Sequence, residues 1–287
     1  MHPEPDSRQL TEDGTGFVAA ASHPRAIEFL DLSGGYQHKN VLQNISFTIR
    51  EGEMVSIIGP NGSGKTTVLR AATGLLERVS GTVKLFGRNV RSLSAAKRAA
   101  IVGVVPQKTF MPMAYSVEEV VSMGRTYAVP RWRGLNDDDY ELVEKSMEYA
   151  DVARLRQARF PELSGGEQQR VIIAMVLAQQ PRIIIMDEAT AHLDINHSLE
   201  IMQLIERLNK ENGVTILMVS HDLNLSSEFS DRLLLIEQGH LVADGSPQQV
   251  LTEQMLKNVY NCVASIERNP HSKAVMVVPD LRQRAAS

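Results

Sequence analysis

One octapeptide restricts this chain more than any other stretch: Gly59-Pro60-Asn61-Gly62-Ser63-Gly64-Lys65-Thr66. It satisfies the pattern G-x-x-x-x-G-K-[ST]. Its glycines let the backbone curl until several N–H groups face one anion. A near-continuous apolar run, residues 54–58, stands before it, and a helix-compatible segment, residues 66–72, follows. The start of that helix adds positive potential at the same point. In this arrangement Lys65 reaches the outer phosphates of a nucleotide, and the Thr66 hydroxyl, with Thr67 beside it, faces Mg²⁺. A chance glycine turn would lack the strand and helix on its flanks.

A second signal is Ile183-Ile184-Ile185-Met186-Asp187-Glu188, an apolar strand that ends in two acids. Open α/β sheets bind ligands at the carboxyl ends of their strands. An acidic pair held there can serve a metal ion and a water molecule. A strand leaving the core through acidic loop residues would look the same in isolation, and the phosphate loop decides between the two.

Further apolar runs at residues 101–105 and 215–219 are joined to these by helical segments, which implies a mostly parallel sheet covered on both faces. Residues 27–32 and 45–49 alternate apolar and polar, as half-buried strands of an antiparallel β subdomain do, with Glu51-Gly52-Glu53 as a turn. Residues 111–163 have helical periodicity without a convincing strand and are expected to form an inserted α-helical subdomain. Within it, Asn136-Asp137-Asp138-Asp139 suits a capped helix start better than a metal site. The resulting expectation is an α/β fold with three parts: a polar, disordered tail at 1–24, a domain at 25–267 and an extension at 268–287.

The 34 acidic side chains outnumber the 30 basic ones, which argues against a surface for nucleic-acid phosphates. One cysteine, Cys262, excludes an intrachain disulfide and a cysteine metal cluster. The first residues lack the pattern of a secretory signal. The longest apolar run, residues 171–178, falls far short of the ~20 residues of a membrane span, so a membrane role is expected only through partner proteins.

Leu163-Ser164-Gly165-Gly166-Glu167-Gln168-Gln169-Arg170 sharpens the class, because it resembles the signature of the ABC proteins. Ser164 and the two glycines open a helix, expected at residues 168–180, and so make an anion nest. Ser164 with Glu167 also reads as a simple capping box, and the two readings are compatible. Other likenesses follow in the family's order. Tyr36 resembles the aromatic that stacks on adenine, a contact worth about 1–3 kcal/mol. Gln107 resembles the glutamine that contacts Mg²⁺ and links to the transmembrane partner, and Asp187 the aspartate that holds Mg²⁺. Asp194, in Ala191-His192-Leu193-Asp194, resembles the loop that crosses the dimer interface, and His221 the histidine on the γ-phosphate. The likeness covers residues 26–267. Ala189 stands where the family usually has proline, and His192 is also less usual. His192 and His197 lack the i, i+4 spacing of a helical metal pair.

The resemblance implies a Mg²⁺-dependent ATPase that works as a head-to-tail homodimer. Lys65, Gln107, Glu188 and His221 would act in hydrolysis, and Ser164, Gly165 and Gly166 would serve the ATP of the other copy. It also implies transmembrane permease subunits, a substrate-binding protein outside the membrane as an indirect partner, and a peripheral place on the cytoplasmic face. Residues 116–125 and 222–229 and the tail at 259–279 are similar to subunits serving ferric-siderophore, haem and cobalamin importers. Alternatives are a soluble ABC ATPase acting on DNA or ribosomes, and a transporter subunit for unrelated cargo. The soluble class usually carries a long coiled coil or a second ATPase domain, and this chain shows no heptads and one copy of each motif. No nucleic-acid partner is expected.

Overall fold

A computed structural model of the chain describes residues 23–36, 39–107, 115–129, 133–191 and 193–284, with backbone alone for 281–284. The tail expected at residues 1–24, save its last two residues, lies outside the described residues, as does His192. The amino-terminal part runs β1 (Arg25–Tyr36), β2 (Lys39–Arg50), β3 (Met54–Ile58), α1 (Lys65–Ala72), β4 (Arg78–Leu85), β5 (Arg88–Asn89), α2 (Ala95–Ala99) and β6 (Val102–Val105). The middle holds α3 (Val117–Ser122), α4 (Asp137–Tyr149), α5 (Gly165–Ala178), β7 (Ile183–Asp187), α6 (Ile195–Asn212) and β8 (Thr215–Val219). The chain closes with α7 (Leu223–Phe229), β9 (Arg232–Glu237), β10 (His240–Gly245), α8 (Pro247–Val250), α9 (Glu253–Tyr260), β11 (Cys262–Arg268) and β12 (Val275–Arg284).

The central sheet has the order β10-β9-β3-β8-β7-β6, parallel except for β10 at its edge. Its inner strands β3, β7 and β8 are almost entirely buried and mostly apolar because both faces are covered. Alternation along each strand divides the residues between two cores. Ile183 and Ile185 of β7, Leu217 and Val219 of β8, and Val55 and Ile57 of β3 face α1 and the antiparallel sheet. Ile184, Met186, Ile216, Met218 and Met54 face the helices of the insertion, α5 and α6. A third cluster joins Ile58, Leu233 and Leu235 to α8, α9 and the β11–β12 hairpin.

This strand order positions the chemistry. Strands β3, β8, β7 and β6 are neighbours although they are far apart in sequence. Because they are parallel, the segments leaving their carboxyl ends gather on one rim. Those segments carry Gly59, His221, the Asp187-Glu188 pair and Gln107.

A second sheet, β2-β1-β4-β5, is antiparallel and carries the bulged pairing of the long strand β1. It is tied to the phosphate loop through the β9–β10 turn. Gly239 N–H donates to Ser63 O at 2.9 Å, and Gln43 N–H of β2 donates to Gly239 O at 2.9 Å.

The described part of the insertion is helical, as expected. Asn136 caps α4 by accepting from Asp139 N–H at 3.0 Å, so the acidic run does serve a helix start. Asp139 also pairs with Arg125 Nε at 2.9 Å, and Arg125 donates to Ala178 O at 2.9 Å. The insertion is thereby held to the last turn of α5. Helix α5 itself begins at Gly165, with Ser164 as its cap, three residues earlier than the apolar periodicity indicated. Glycine is a poor helix former, but the first turn has no preceding turn to depend on. The strand expected at 274–279 is β12, and its partner β11 was not read from the sequence. Their hairpin spans residues 262–284, across the 267/268 division.

Gly239 has φ +83°, and a Cβ there would lie 1.9 Å from Val41 O. Gly239→Ala is therefore expected to cost about 2 kcal/mol or more, from left-handed backbone plus displacement of β2. Urea unfolding measures the loss, and a parent-like midpoint would contradict this reading of the turn.

Candidate nucleotide site

The loop between β3 and α1 wraps the end of its own lysine. Lys65 is buried, and its Nζ donates to Gly59 O at 2.9 Å and Pro60 O at 3.0 Å. Burial pushes its ammonium below the usual lysine range, while the Glu188 and Asp187 charges work the other way. Gly59, at φ +146°, passes so close beneath β9 that a Cβ would sit 2.0 Å from Ile236 O. Ser63 Oγ is buried near it without a hydrogen-bond partner among the described residues. Asn61, Gly62, Gly64, Lys65, Thr66 and Thr67 form one wall of a cavity of about 430 Å³, with Glu188 and His221 opposite. A polyanion suits this cavity: a buried cation, Lys65, and the residues of a helix start line it.

The acids arrive on β7. Thr66 Oγ1 donates to Asp187 Oδ1 at 3.3 Å. Burial pushes the Asp187 carboxyl above its usual range, opposed by the Thr66 hydrogen bond and by Arg70 and Lys65. Thr66 and Asp187 thus present two hard oxygen donors, one carrying charge at a cost, and this set fits Mg²⁺. Glu188 sits in left-handed backbone at φ 50°, with its N–H donated to Val219 O at 3.1 Å. Its side chain is held on both oxygens. Gln107 Nε2 donates to Oε2 at 2.6 Å, and His221 Nε2 meets Oε1. Lys65, Thr66, Gln107, Asp187, Glu188 and His221 are therefore brought together from four separate segments. Ala189, in the position noted for proline, is buried, and Ala191 N–H donates to Glu188 O at 2.9 Å, which closes a turn.

Tyr36 stands at the edge of this group. Its Oη lies 3.4 Å from Thr67 Oγ1, and the Arg70 guanidinium lies 5.3 Å from its ring centre. Lys39, Asn40, Val41 and Gln238 complete the cavity wall and were not singled out in the sequence. They reach it only because β2 pairs with β1 and the Gly239 turn folds over the loop. Tyr260 of α9 was also missed as a site neighbour. Its hydroxyl is pushed up to about 12 by burial, with the Gly59 backbone opposing.

Ser164, Gly165, Gly166 and Asp194 are not among the residues lining this cavity. They form a unit of their own. Ser164 and Glu167 make the full capping box, with Ser164 N–H to Glu167 Oε2 at 3.1 Å and Glu167 N–H to Ser164 Oγ at 3.3 Å. Asp194 caps α6 and accepts from His197 N–H at 2.8 Å, with His197 Nδ1 2.9 Å away. The His197 ring fills the place where a Gly166 Cβ would be, 2.4 Å from Cδ2. Beside this unit Ile195 is 79% exposed, and a smaller cavity of about 280 Å³ connects Leu193, Ile195 and Leu199 with Glu188 and His221. Among the described residues no helix is long and apolar enough to cross a membrane.

Residues 42–191 match the ABC transporter family. The chain belongs to that family. It is an ATP-binding, ATP-hydrolysing member. It is 40% identical over 256 residues to the hemin import ATP-binding protein HmuV of Bordetella avium, covering 86% of this chain and 97% of that one. It is 39% identical over 226 residues to the petrobactin import ATP-binding protein FpuC of Bacillus anthracis, covering 78% and 83%. In fold it matches an inward-facing metal-chelate type ABC transporter with a TM-score of 0.80 at 24% identity, covering 90% of this chain and 98% of that one.

The raised Asp187 carboxyl has a consequence for stability. The folded chain holds that proton more tightly than the unfolded chain does. The resulting penalty is absent below the ordinary value of 3.8 and complete above the raised folded value. At pH 7, Asp187→Asn is expected to raise the melting midpoint of the nucleotide-free protein by ~1–4 °C and to shrink the further rise given by Mg²⁺ and ATP. Calorimetry with and without nucleotide measures both, and an unchanged or lower nucleotide-free midpoint would contradict the burial argument.

Proposed function

We propose that this chain is the ATP-hydrolysing subunit of an importer for a metal chelate, with ferric siderophore first and haem or cobalamin next. Two copies would act with separate permease subunits, fed indirectly by a substrate-binding protein, at the cytoplasmic face of the membrane. The observation that carries the ATPase part is the convergence of Lys65, Thr66, Asp187, Glu188, Gln107 and His221 on one rim of the sheet. Likeness to HmuV and FpuC supports the cargo class.

In this reading Lys65 and the N–H groups of the 59–66 loop neutralise the phosphates, and Tyr36 stacks on adenine. Thr66, Asp187 and Gln107 would hold Mg²⁺, which would supply neutralisation of phosphate charge. Glu188 orients a water and takes up its proton as the water oxygen bonds to the γ-phosphorus. The bond from that phosphorus to the bridging oxygen breaks, and ADP leaves with the electron pair. Gln107 and His221 set the two oxygens of Glu188, so the base is aimed before substrate arrives.

Ser164, Gly165 and Gly166 serve the nucleotide of a second copy, and Asp194 lies at the seam. Exposed Ile195 and the adjoining cavity support a covered face there. ATP favours the closed pair because only that state puts both half-sites on one nucleotide. Hydrolysis removes the bridging phosphate, and the pair opens.

Glu188→Gln is expected to keep ATP affinity within a few-fold while turnover falls ~10²–10⁴-fold. Steady-state phosphate release and equilibrium nucleotide binding measure the two quantities. Retention of a tenth or more of parent turnover would remove Glu188 as the base.

A strain lacking this chain is expected to grow poorly on one ferric siderophore or on haem as sole iron source, or on limiting cobalamin. Restoration by the parent chain and failure of restoration by Glu188→Gln complete the expected result. Normal uptake of all three ligand types, with no redundant importer, would overturn the cargo class.

A further inference from the structure

We infer that Asn224 is a positioning residue for His221, and that the β11–β12 hairpin is the brace through which it acts. The inference rests on the proposed role of His221 in hydrolysis. His221 itself is carried by a short loop. Asp222 N–H donates to Ser220 Oγ at 3.1 Å, and the Asp222 carboxylate accepts from Asn224 N–H and Leu225 N–H, both at 2.9 Å. The loop is therefore locked to the first turn of α7. Helix α7 has only seven residues. A helix that short has little stability of its own and takes its orientation from what it is fastened to.

The fastening is to β12. Asn224 Nδ2 donates to Val277 O at 3.3 Å, and Val277 N–H donates to Asn224 Oδ1 at 2.8 Å. One side-chain amide thus engages both polar groups of one backbone residue, as a neighbouring strand would. At the other end of α7, Glu228 Oε2 accepts from Ser272 Oγ at 2.7 Å and Asn269 Nδ2 at 3.3 Å, in the turn of the hairpin.

The hairpin is a firm reference because it is fixed to the phosphate-loop strand. Val275 and Val277 are buried in one cluster with Ile58, Leu233 and Leu235, and Ile58 directly precedes Gly59. Tyr260, just before β11, is partly buried against the same cluster. A continuous set of contacts therefore runs from Gly59 through the hairpin, Asn224 and Asp222 to His221, and from there to Glu188. The brace would hold the histidine in register with the loop that grips the phosphates. If Asn224 only stabilises α7, its loss would lower stability without passing through His221.

A double-mutant cycle on the full-length chain separates these roles. Asn224→Ala is expected to lower kcat about tenfold with KM for ATP within about twofold of the parent, assayed well below the melting midpoint. In a His221→Ala chain, where the positioned group is gone, adding Asn224→Ala is expected to change kcat less than about twofold. Asn224→Asp keeps the acceptor for Val277 N–H and should fall between parent and alanine. It runs through the same cycle if the alanine chain does not fold. Parent-like kcat in the folded Asn224 variants, or losses that multiply in the double variant, would overturn the proposal. A His221→Ala chain with parent kcat would instead overturn the role of His221 on which the proposal stands.

Discussion

Everything at the nucleotide site depends on a buried ammonium held beside two carboxylates without its substrate. Lys65 donates to two carbonyls, and burial disfavours its charge despite the nearby carboxylates, while burial likewise disfavours the charge on Asp187. Polyphosphate and a divalent cation would relieve both costs at once. The nucleotide-free protein is thus less stable than its packing allows, and the deficit returns as binding free energy when phosphate fills the loop. The parallel sheet makes this arrangement possible. With β8 between β3 and β7, and β6 beyond, the loop, the histidine, the acids and the glutamine leave adjacent strand ends. An order that placed other strands among these four would separate them.

What the sequence disclosed follows from where each kind of information resides. The phosphate loop is legible because its identities carry its chemistry: glycines for the turn, one lysine, one threonine. The strand before the acids is legible because a sheet covered on both faces needs unbroken apolar residues. The order of those strands is not legible, since β3 pairs with β8 and β9 across more than 150 residues, and only tertiary packing fixes it. For the same reason Lys39, Asn40, Val41 and Gln238 carried no local signal. Helix α5 was placed three residues late because its first turn is glycine, which its cap compensates. Strand β11 lacked a clean alternation and is defined mainly by its pairing with β12.

The signature segment illustrates a different limit. Its capping box explains Ser164 and Glu167 entirely within one chain. That local explanation leaves open why Gly166 must make room for His197, and why the adjoining surface keeps Ile195 in solvent. A face that joins an anion-binding helix start to exposed apolar residues and to the rim of the nucleotide cavity has the character of half a site. A second copy of the chain, turned head to tail, would supply the other half.

That claim is tested most directly by mixing two disabled chains. Lys65→Ala removes the loop's cation, and Ser164→Arg blocks the signature face, each in a Glu188→Gln background that holds ATP. In a head-to-tail pair of unlike chains, one interface collects both defects and the other has neither. Light scattering with ATP is expected to show monomer for each variant alone and partial dimer, holding a single ATP, for the mixture. If Ser164→Arg chains dimerise as well as the parent, or if the mixture yields no dimer while both chains remain folded, the shared site is contradicted.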